Sequence, residues 1–395
     1  MNNLQEPTAE EMLARAEALV PKLSERATAT ETSSKIHPDT IRDLHDTGLF
    51  RLVQPARVGG GEFDYRLMLE ITTVLGKGCG STAWVYVDLA CHHWMLGMWP
   101  EAAQNQLWNH DADVLIASSM IYPMGKARRS DDGYQLSGRW PFASGIDCSD
   151  WIMLGGMVEP QVDGDKPERR MFLVEKTSIE VLDTWQVSGL CGTGSKDVVV
   201  SDVKVPEYMT LAAADTLGGD TPGSVVNPSS LYKLPVLGLF PHIIAAPIIG
   251  MVEGVCNTFV SANTAAVSTY NASKVASYQS VQIHVANATA AVEAAKLMIN
   301  ANCDEATETF DAGKSCTLEQ KHRWRRDAAY AANRCFDALQ GLYKSTGGRG
   351  AYKTNPIQRH YRDASVGISH ISMSWDVMGA EYGNYALGLG GNPFV

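Results

Sequence analysis

The segment Gly347-Gly348-Arg349-Gly350-Ala351-Tyr352 precedes, by three residues, the segment Pro356-Ile357-Gln358-Arg359-His360-Tyr361-Arg362-Asp363-Ala364. The first segment is typical of a turn, because glycine adopts backbone conformations that other residues avoid. The second begins like a helix, since proline is favoured at the first helical position. Residues 365–372, which follow, contain no carboxylate, and their one group that titrates near neutral pH is His370.

The composition is that of an ordinary globular chain. The 395 residues are 45% hydrophobic and 19% charged, with a formal net charge of -11. That charge argues against a nucleic-acid partner, because phosphate binding requires clustered Lys and Arg. The eight cysteines form no C-x-x-C pair, and no spacing typical of a metal site occurs. The N-terminus has no signal-peptide pattern and we find no run of about 18 apolar residues, so we expect no membrane span, a cytoplasmic location and reduced thiols.

The apolar pattern divides the chain into three parts. Residues 8–110 have helical spacing, short runs rich in β-branched and aromatic residues occupy 114–205, and helical spacing returns from about 235. Strands segregated between helices favour an α+β fold over an alternating α/β fold. We predict an N-terminal helical domain over 1–112, a central β domain over 113–225 and a C-terminal helical domain over 226–395.

Several segments carry polar residues at the predicted ends of strands. Gly138-Arg139-Trp140-Pro141-Phe142-Ala143-Ser144-Gly145 reads as a strand and its end. Side chains of a regular strand alternate, so Phe142 and Ser144 are expected to share one face. Ser118 and Ser119 end another predicted strand, and residues 189–197 form a glycine-rich loop before a third. Each is compatible with ordinary turn chemistry when taken alone.

A histidine pair, His92 and His93, lies on a helix that is apolar almost all round. Two imidazoles inside such a helix are costly unless each finds a partner. Adjacent helix positions point about 100° apart, so at most one of them faces a given pocket. Taken alone, the pair is best interpreted as core histidines bonded to backbone carbonyls.

Together and in this order, these segments resemble the acyl-CoA dehydrogenase fold, a flavin-binding framework, over roughly residues 15 to 380. His370 stands about where the dehydrogenases often carry their catalytic glutamate. Residues 79–85, the His92 helix, Ser144-Gly145-Ile146-Asp147 and Gly192-Thr193-Gly194-Ser195 are similar to one branch of that fold, the two-component (group D) flavin-dependent monooxygenases. The resemblance implies an N-terminal helical domain, a central β domain and a C-terminal four-helix bundle.

The resemblance also implies an activity. An oxygenase component of this branch uses reduced flavin (FADH2 or FMNH2) and O2, through a C4a-hydroperoxyflavin, to hydroxylate a phenolic or indole-type aromatic substrate. It implies a separate NAD(P)H-dependent flavin reductase, a homotetramer and no metal. A nicotinamide site in the chain itself is not expected, since no complete G-x-G-x-x-G motif is present.

Site roles follow from the same resemblance. It places six residues at the flavin, with the Ser144 hydroxyl near the flavin N5: Ser118, Ser119, Phe142, Ser144, Gly347 and Gly348. His370 is the candidate base and His92 the candidate hydrogen-bond donor to the substrate or the peroxide, with His93 as the fallback. Cys191 departs from the pattern, because an arginine is expected there in close relatives.

Two other activities stay open on this fold. A dehydrogenase requires a carboxylate base, and Glu381 and Asp376 are near in sequence but displaced from the expected position. Oxygenation of a sulfur or nitrogen heteroatom is the other. Residues 206–247 are expected to help line the substrate pocket, including Tyr208, Tyr232, Phe240 and His242.

Overall fold

The structure is a computed structural model that describes residues 7–162, 166–268 and 270–394. Its N-terminal part is helical, with α1 Ala9–Ser33, α2 Pro38–Asp46, α3 Tyr65–Gly76, α4 Gly80–Leu96 and α5 Glu101–Trp108. The Asp64 carboxylate caps α3 by accepting the Leu67 N–H at 2.9 Å. Every residue of α4 is buried, so each of its polar side chains needs a partner inside the protein.

The centre of the chain forms one eight-stranded sheet. Its strands are β1 Ile116–Ser119, β2 Gly125–Ser130, β3 Gly133–Ala143, β4 Trp151–Val158, β5 Glu168–Glu175, β6 Glu180–Leu182, β7 Lys196–Pro206 and β8 Thr210–Ala212. They pair in the order β6-β7-β3-β2-β4-β5-β8, and β1 pairs with β4 in parallel. The runs rich in β-branched and aromatic residues form β1, β3, β4, β5 and β7, as predicted. Strand β2 was missed because Gly125-Lys126-Ala127-Arg128-Arg129-Ser130 lacks the β-branched residues that mark a strand. Strands β6 and β8 were also missed, and each has only three residues.

A bulge near the end of β3 changes which way its side chains point. Trp140 pairs with Val198 of β7, whereas Ala143 pairs with Lys196, so β3 holds one extra residue there. Phe142 takes up the bulge with a left-handed φ of +66°. Its side chain is 60% exposed, while Ser144 is buried. The expectation that Phe142 and Ser144 share a face is therefore wrong, because the bulge interrupts the alternation between them.

The C-terminal part is helical again, with α6 Val236–Asn263, α7 Gln279–Asp311, α8 Leu318–Ser345, α9 Pro356–Gly367 and α10 Trp375–Ala386. Helix α6 packs against α3, α7, α8 and α9 and joins the N-terminal helices to the bundle. The predicted α+β fold is confirmed: along the chain, helices precede and follow a block of strands that forms one sheet.

Helix α6 is long and apolar enough to cross a membrane by length and composition, but 83% of its most apolar window is buried inside the protein. A buried window is typical of a core helix. Helix α6 contains no uninterrupted run of about 18 apolar residues, because His242 divides it, although its average hydropathy is high.

Candidate functional site

One face of α4 carries three polar or amphipathic side chains at intervals of four residues: Trp84, Asp88 and His92. Residues four apart lie above one another on a helix. Trp84 and His92 are thus separated by about 12 Å along the helix axis, at 1.5 Å per residue. This buried face forms one wall of the candidate site.

Trp84 connects the end of β3 to His370, which follows α9. Its indole N–H donates to the Ser144 hydroxyl at 3.3 Å, and its ring meets the His370 ring edge-on, with centroids 6.1 Å apart. Phe240 approaches the same imidazole, with ring centroids 6.4 Å apart. Three segments far apart in sequence therefore converge on Ser144, Trp84 and His370.

The His92 imidazole has a defined tautomer. Its Nδ1 lies 2.6 Å from the Ile116 carbonyl oxygen of β1, which can only accept, so Nδ1 carries the proton. The Nε2 atom is buried without a partner among the described residues. Burial lowers the pKa of His92 to about 4, which outweighs the effect of the Ile116 hydrogen bond. Neutral His92 therefore presents a free lone pair at Nε2.

His93 is turned toward α5 instead. The Trp108 indole N–H donates to its Nδ1 at 3.2 Å, and the two rings stack with centroids 6.1 Å apart. Burial, followed by the charge of His92, lowers the pKa of His93 to about 3. Because Nδ1 accepts, the proton of neutral His93 is on Nε2. The His93 Nε2–H is also buried without a partner among the described residues, but His92 is the member of the pair on the Trp84 face.

His370 has the opposite tautomer to His92. It caps the short helical turn Ile371–Met373, and its Nδ1 accepts the Ser372 N–H at 3.1 Å. The proton of the neutral ring is therefore on Nε2, which makes that atom a donor. Burial lowers the pKa of His370 to about 4, so the ring is neutral at physiological pH.

Asp88 is a site residue that the sequence reasoning missed. It is buried between Trp84 and His92 on α4, and burial raises its pKa to about 7 despite hydrogen bonds from the Ser144 and Trp84 side chains. Its four-residue spacing from Trp84 and His92 was the signal that the sequence offered. A carboxyl group that titrates near neutrality, inside a candidate site, is typical of a functional position.

A run of buried hydroxyls continues from Ser144 into the loop before β7. Ser144 Oγ lies 3.0 Å from Ser195 Oγ, which lies 2.6 Å from Thr193 Oγ1. The Thr193 hydroxyl donates to the Leu190 carbonyl at 2.9 Å. Helix α9 fixes the other end of that loop, since the Asp363 carboxylate accepts the Leu190 N–H at 2.6 Å. The sequence showed these residues but not their connection.

The remaining residues predicted to contact the flavin are dispersed. Ser119 is buried and donates to the Pro141 carbonyl at 2.7 Å, so it braces the β3 bulge, while Ser118 is half-buried. Phe142 is exposed and meets the Trp185 ring edge-on at 6.2 Å. Gly347 and Gly348 lie in an exposed turn that packs mainly on α8 and α9. The structure does not bring these two glycines together with Ser144.

Only part of the predicted pocket lining reaches the site. Phe240 reaches it, because its ring approaches the His370 imidazole. Tyr232 is buried elsewhere and donates to the Val53 carbonyl at 3.2 Å, and Tyr208 donates to Gln106 at 2.8 Å on the surface. His242 is buried among the C-terminal helices, 3.3 Å from Asn302. These three side chains make their bonds away from Trp84, Ser144 and His370, and their part in lining the pocket stays a prediction.

The structure also bears on the dehydrogenase alternative. Glu381 is held in a salt bridge with Arg325 at 3.0 Å, and Asp376 lies in the first turn of α10. Neither belongs to the cluster of Trp84, Ser144 and His370. Cys191, where an arginine was expected, donates its thiol to the Val187 carbonyl at 3.2 Å and is half-buried.

Comparisons with known proteins identify the family. The family model of the acyl-CoA dehydrogenase C-terminal domain matches residues 242–375. The chain is 33% identical to the flavin-dependent monooxygenase oxygenase subunit HsaA of Rhodococcus jostii (strain RHA1), over 95% of this chain and 98% of that protein. It is 33% identical to the FADH2-dependent resorcinol hydroxylase oxygenase component of Rhizobium sp. (strain MTP-10005), over 92% and 90%.

A solved structure extends the match to the whole fold. The crystal structure of the HsaA monooxygenase from M. tuberculosis superposes with a TM-score of 0.92 at 32% identity, covering 98% of this chain and 100% of that one. An oxygenase component implies a separate reductase and a small aromatic substrate. The chain belongs to the oxygenase components of flavin-dependent monooxygenases, oxidoreductases that use reduced flavin and O2 on the acyl-CoA dehydrogenase fold.

Proposed function

We propose that this protein hydroxylates a phenol, with His92 accepting the hydrogen bond of the phenolic hydroxyl. The observation that carries the proposal is the unpartnered, buried Nε2 of His92, whose proton is held at Nδ1 by the Ile116 carbonyl. A buried acceptor without a partner is costly in the protein alone. A substrate hydroxyl donating to Nε2 satisfies it, and the resorcinol hydroxylase among the relatives acts on a phenol by its name.

The residues present fit a flavin at the Ser144 end of the site. Trp84 contributes a buried ring, the Ser144 oxygen offers a hydrogen-bonding edge, and the β3 bulge exposes Phe142 beside Trp185. We propose that Ser144, Phe142 and Trp185 hold the isoalloxazine ring and that the flavin is FAD, as in the FADH2-dependent relative. The bound reduced flavin supplies the activation of O2, and the protein supplies orientation, exclusion of water and proton handling.

His92 does not ionise the phenol in the resting complex. A phenol has a pKa of about 10, and the pKa of His92 is about 4. The difference of roughly six units corresponds to about 8 kcal/mol against full proton transfer. His92 therefore polarises the hydroxyl through a hydrogen bond. It takes the proton as oxygen is added to the ring, because loss of electron density from the ring makes the O–H more acidic.

We propose that His370 is a donor and not the base, which reverses the roles expected from sequence. Supporting this is its Nδ1, which accepts the Ser372 N–H and leaves the proton on Nε2. Removing that proton would require the anionic imidazolate, and adding one at Nδ1 would break the Ser372 bond. The His370 ring lies edge-on to Trp84, and its Nε2–H is proposed to donate to an oxygen bound at the flavin end of the site.

A substrate panel tests the activity. The purified protein, a generic flavin reductase, NADH and FAD would be supplied with phenols, the matching O-methyl ethers, indoles and thioethers. We expect a catechol-type or hydroquinone-type product from phenols and no product from the ethers, because an ether cannot donate to His92 Nε2. Equal turnover of phenol and ether, or turnover of indole or thioether alone, would contradict the phenol assignment.

We further propose a cytoplasmic homotetramer that receives its flavin from an NAD(P)H-dependent reductase. Supporting assembly, large apolar side chains remain exposed on three C-terminal helices: Leu297 is 74% exposed, Tyr330 42% and Trp375 43%. Exposed apolar area of this kind marks protein contacts. Sedimentation velocity should give about four times the 42.9 kDa chain mass. A monomer at micromolar concentration would contradict the assembly.

A further inference from the structure

The hydroxyl chain behind Ser144 has a fixed direction. A hydroxyl has one proton to donate, and the Thr193 proton goes to the Leu190 carbonyl, which can only accept. In the 2.6 Å contact between Thr193 and Ser195, Ser195 must therefore be the donor. The same reasoning makes Ser144 the donor to Ser195 in their 3.0 Å contact. The proton of Ser144 thus points away from the site.

The Leu190 peptide anchors this direction. Its backbone has a left-handed φ of +52°, unusual for a residue with a Cβ. Four groups hold it in place: Asp363 accepts its N–H, Thr193 and Trp185 donate to its carbonyl at 2.9 and 3.0 Å, and Gly189 before it lies against the Arg362 backbone. A carbonyl fixed in this way is a permanent acceptor at the end of the chain.

Two other groups contact the Ser144 hydroxyl, and neither turns its proton toward the site. The Trp84 N–H donates to the Ser144 oxygen and so occupies one lone pair. The Asp88 carboxylate, when ionised, accepts the Ser144 proton in place of Ser195. In both arrangements the Ser144 oxygen keeps a lone pair, and not a proton, for a molecule bound in the site.

We propose that Ser195 and Thr193 are positioning residues that make the protein bind reduced flavin in preference to oxidised flavin. The N5 atom of reduced flavin carries a hydrogen and can donate to the Ser144 oxygen. The N5 atom of oxidised flavin carries a lone pair, which meets the lone pair of Ser144. The inference rests on the proposed function, in which Ser144 faces the flavin N5. Such a preference suits a protein that must take up reduced flavin and release the oxidised form after each turnover.

Anaerobic binding measurements test this on the apo-protein without any turnover. Dissociation constants for FADH2 and FAD are measured by titration for the unmodified protein and for Thr193→Val and Ser195→Ala. At pH 6, where Asp88 is protonated and does not compete for the Ser144 proton, either change removes a member of the chain and lets that proton turn toward the site. We expect the ratio of the FAD constant to the FADH2 constant to fall about fivefold, the effect of one hydrogen bond.

The chain offers a matched control and a rescue. Thr216 is also buried, and its hydroxyl donates to the Ala213 carbonyl three residues upstream at 2.8 Å, as Thr193 does to Leu190. Thr216→Val should leave the ratio unchanged. Thr193→Ser keeps the hydroxyl and should restore it. The double variant Ser144→Ala/Thr193→Val should show no larger effect than Ser144→Ala alone, because both act through the same hydroxyl.

The outcomes separate the two proposals. If Ser144→Ala lowers the ratio but Thr193→Val and Ser195→Ala both leave it unchanged, the positioning role is wrong and the site assignment survives. If Ser144→Ala itself leaves the ratio unchanged, Ser144 does not face N5 and the proposed flavin site fails as well. Should Thr193→Val fail to fold, as judged by thermal melting beside Thr216→Val, Ser195→Ala decides the matter.

Discussion

Replacement of His92 by alanine is expected to lower the rate of product formation about 100-fold or more, the usual effect of losing a general base. Flavin oxidation should continue, because the residues proposed to hold the flavin, among them Ser144 and Phe142, are untouched. Reducing equivalents that no longer reach the substrate should appear as hydrogen peroxide. The measurement is the amount of product and peroxide formed per NADH consumed, with a phenol that the unmodified protein hydroxylates.

His93→Ala is the matched control for this variant. Both histidines are buried neighbours on α4, and both changes leave a cavity and lose a hydrogen bond. Only His92 offers a free lone pair on the Trp84 face. We expect His93→Ala to lose stability but to keep the product yield of the folded fraction. Equal product losses in the two variants would show that packing of α4, and not the His92 acceptor, supports the reaction.

The second large effect is acid lability. Five histidines have pKa values lowered mainly by burial, to about 4 for His92, His242, His360 and His370 and to about 3 for His93. In the unfolded chain each titrates near 6.5. Between pH 6.5 and pH 4 unfolding therefore takes up about five protons at these sites, and the free energy of unfolding falls as pH falls.

Two buried carboxyl groups act in the other direction. Burial raises the pKa of Asp88 to about 7 and that of Asp363 to about 6. Both hold a proton near pH 5 in the folded protein and release it on unfolding. Five protons taken up minus two released leaves about three, so stability should fall by about 4 kcal/mol per pH unit near pH 5. A typical domain has only about 5–15 kcal/mol in total.

Urea unfolding at pH 7, 6 and 5 measures this slope. We expect the midpoint to fall steeply with pH and the fold to be lost near pH 4. His242→Gln, at a site outside the candidate active site, should reduce the slope by about 1.4 kcal/mol per pH unit, one proton's contribution. A midpoint that stays constant from pH 7 to pH 5 would show that these histidines are not neutral in the folded protein.

Periodicity was enough to predict the helices and most strands. The apolar spacing in α3 and α4, and the proline at the start of α9, are local signals that the folded chain retains. The β3 bulge had no such signal. Pro141 and Phe142 fit a regular strand by composition, and the register shift becomes visible only once β7 pairs beside them.

The resemblance proposed Ser144, His92 and His370 as site residues, with His370 as base and His92 as donor. Residue types alone cannot decide which histidine accepts and which donates. A histidine's tautomer depends on the backbone group that it bonds. The Ile116 carbonyl requires a proton on His92 Nδ1, whereas the Ser372 N–H requires a lone pair on His370 Nδ1. Asp88 was missed because a single acid in an apolar helix forms no motif. The hydroxyl chain was missed because Ser144 and Ser195 lie 51 residues apart.

The attachment of α9 to the loop before β7 has a consequence for chimeric enzymes. Arg362 donates to the Ser188 carbonyl at 2.7 Å and pairs with Glu31, and Asp363 binds the Leu190 N–H. A Cβ added at Gly189 would lie 2.1 Å from the Arg362 carbonyl oxygen. Loop and helix are thus fitted to each other although Leu190 and Asp363 lie 173 residues apart in the chain. Anyone recombining segments of related oxygenases to shift substrate range should transfer α1, residues 188–195 and α9 from one parent, because a single crossover between the loop and α9 would separate them.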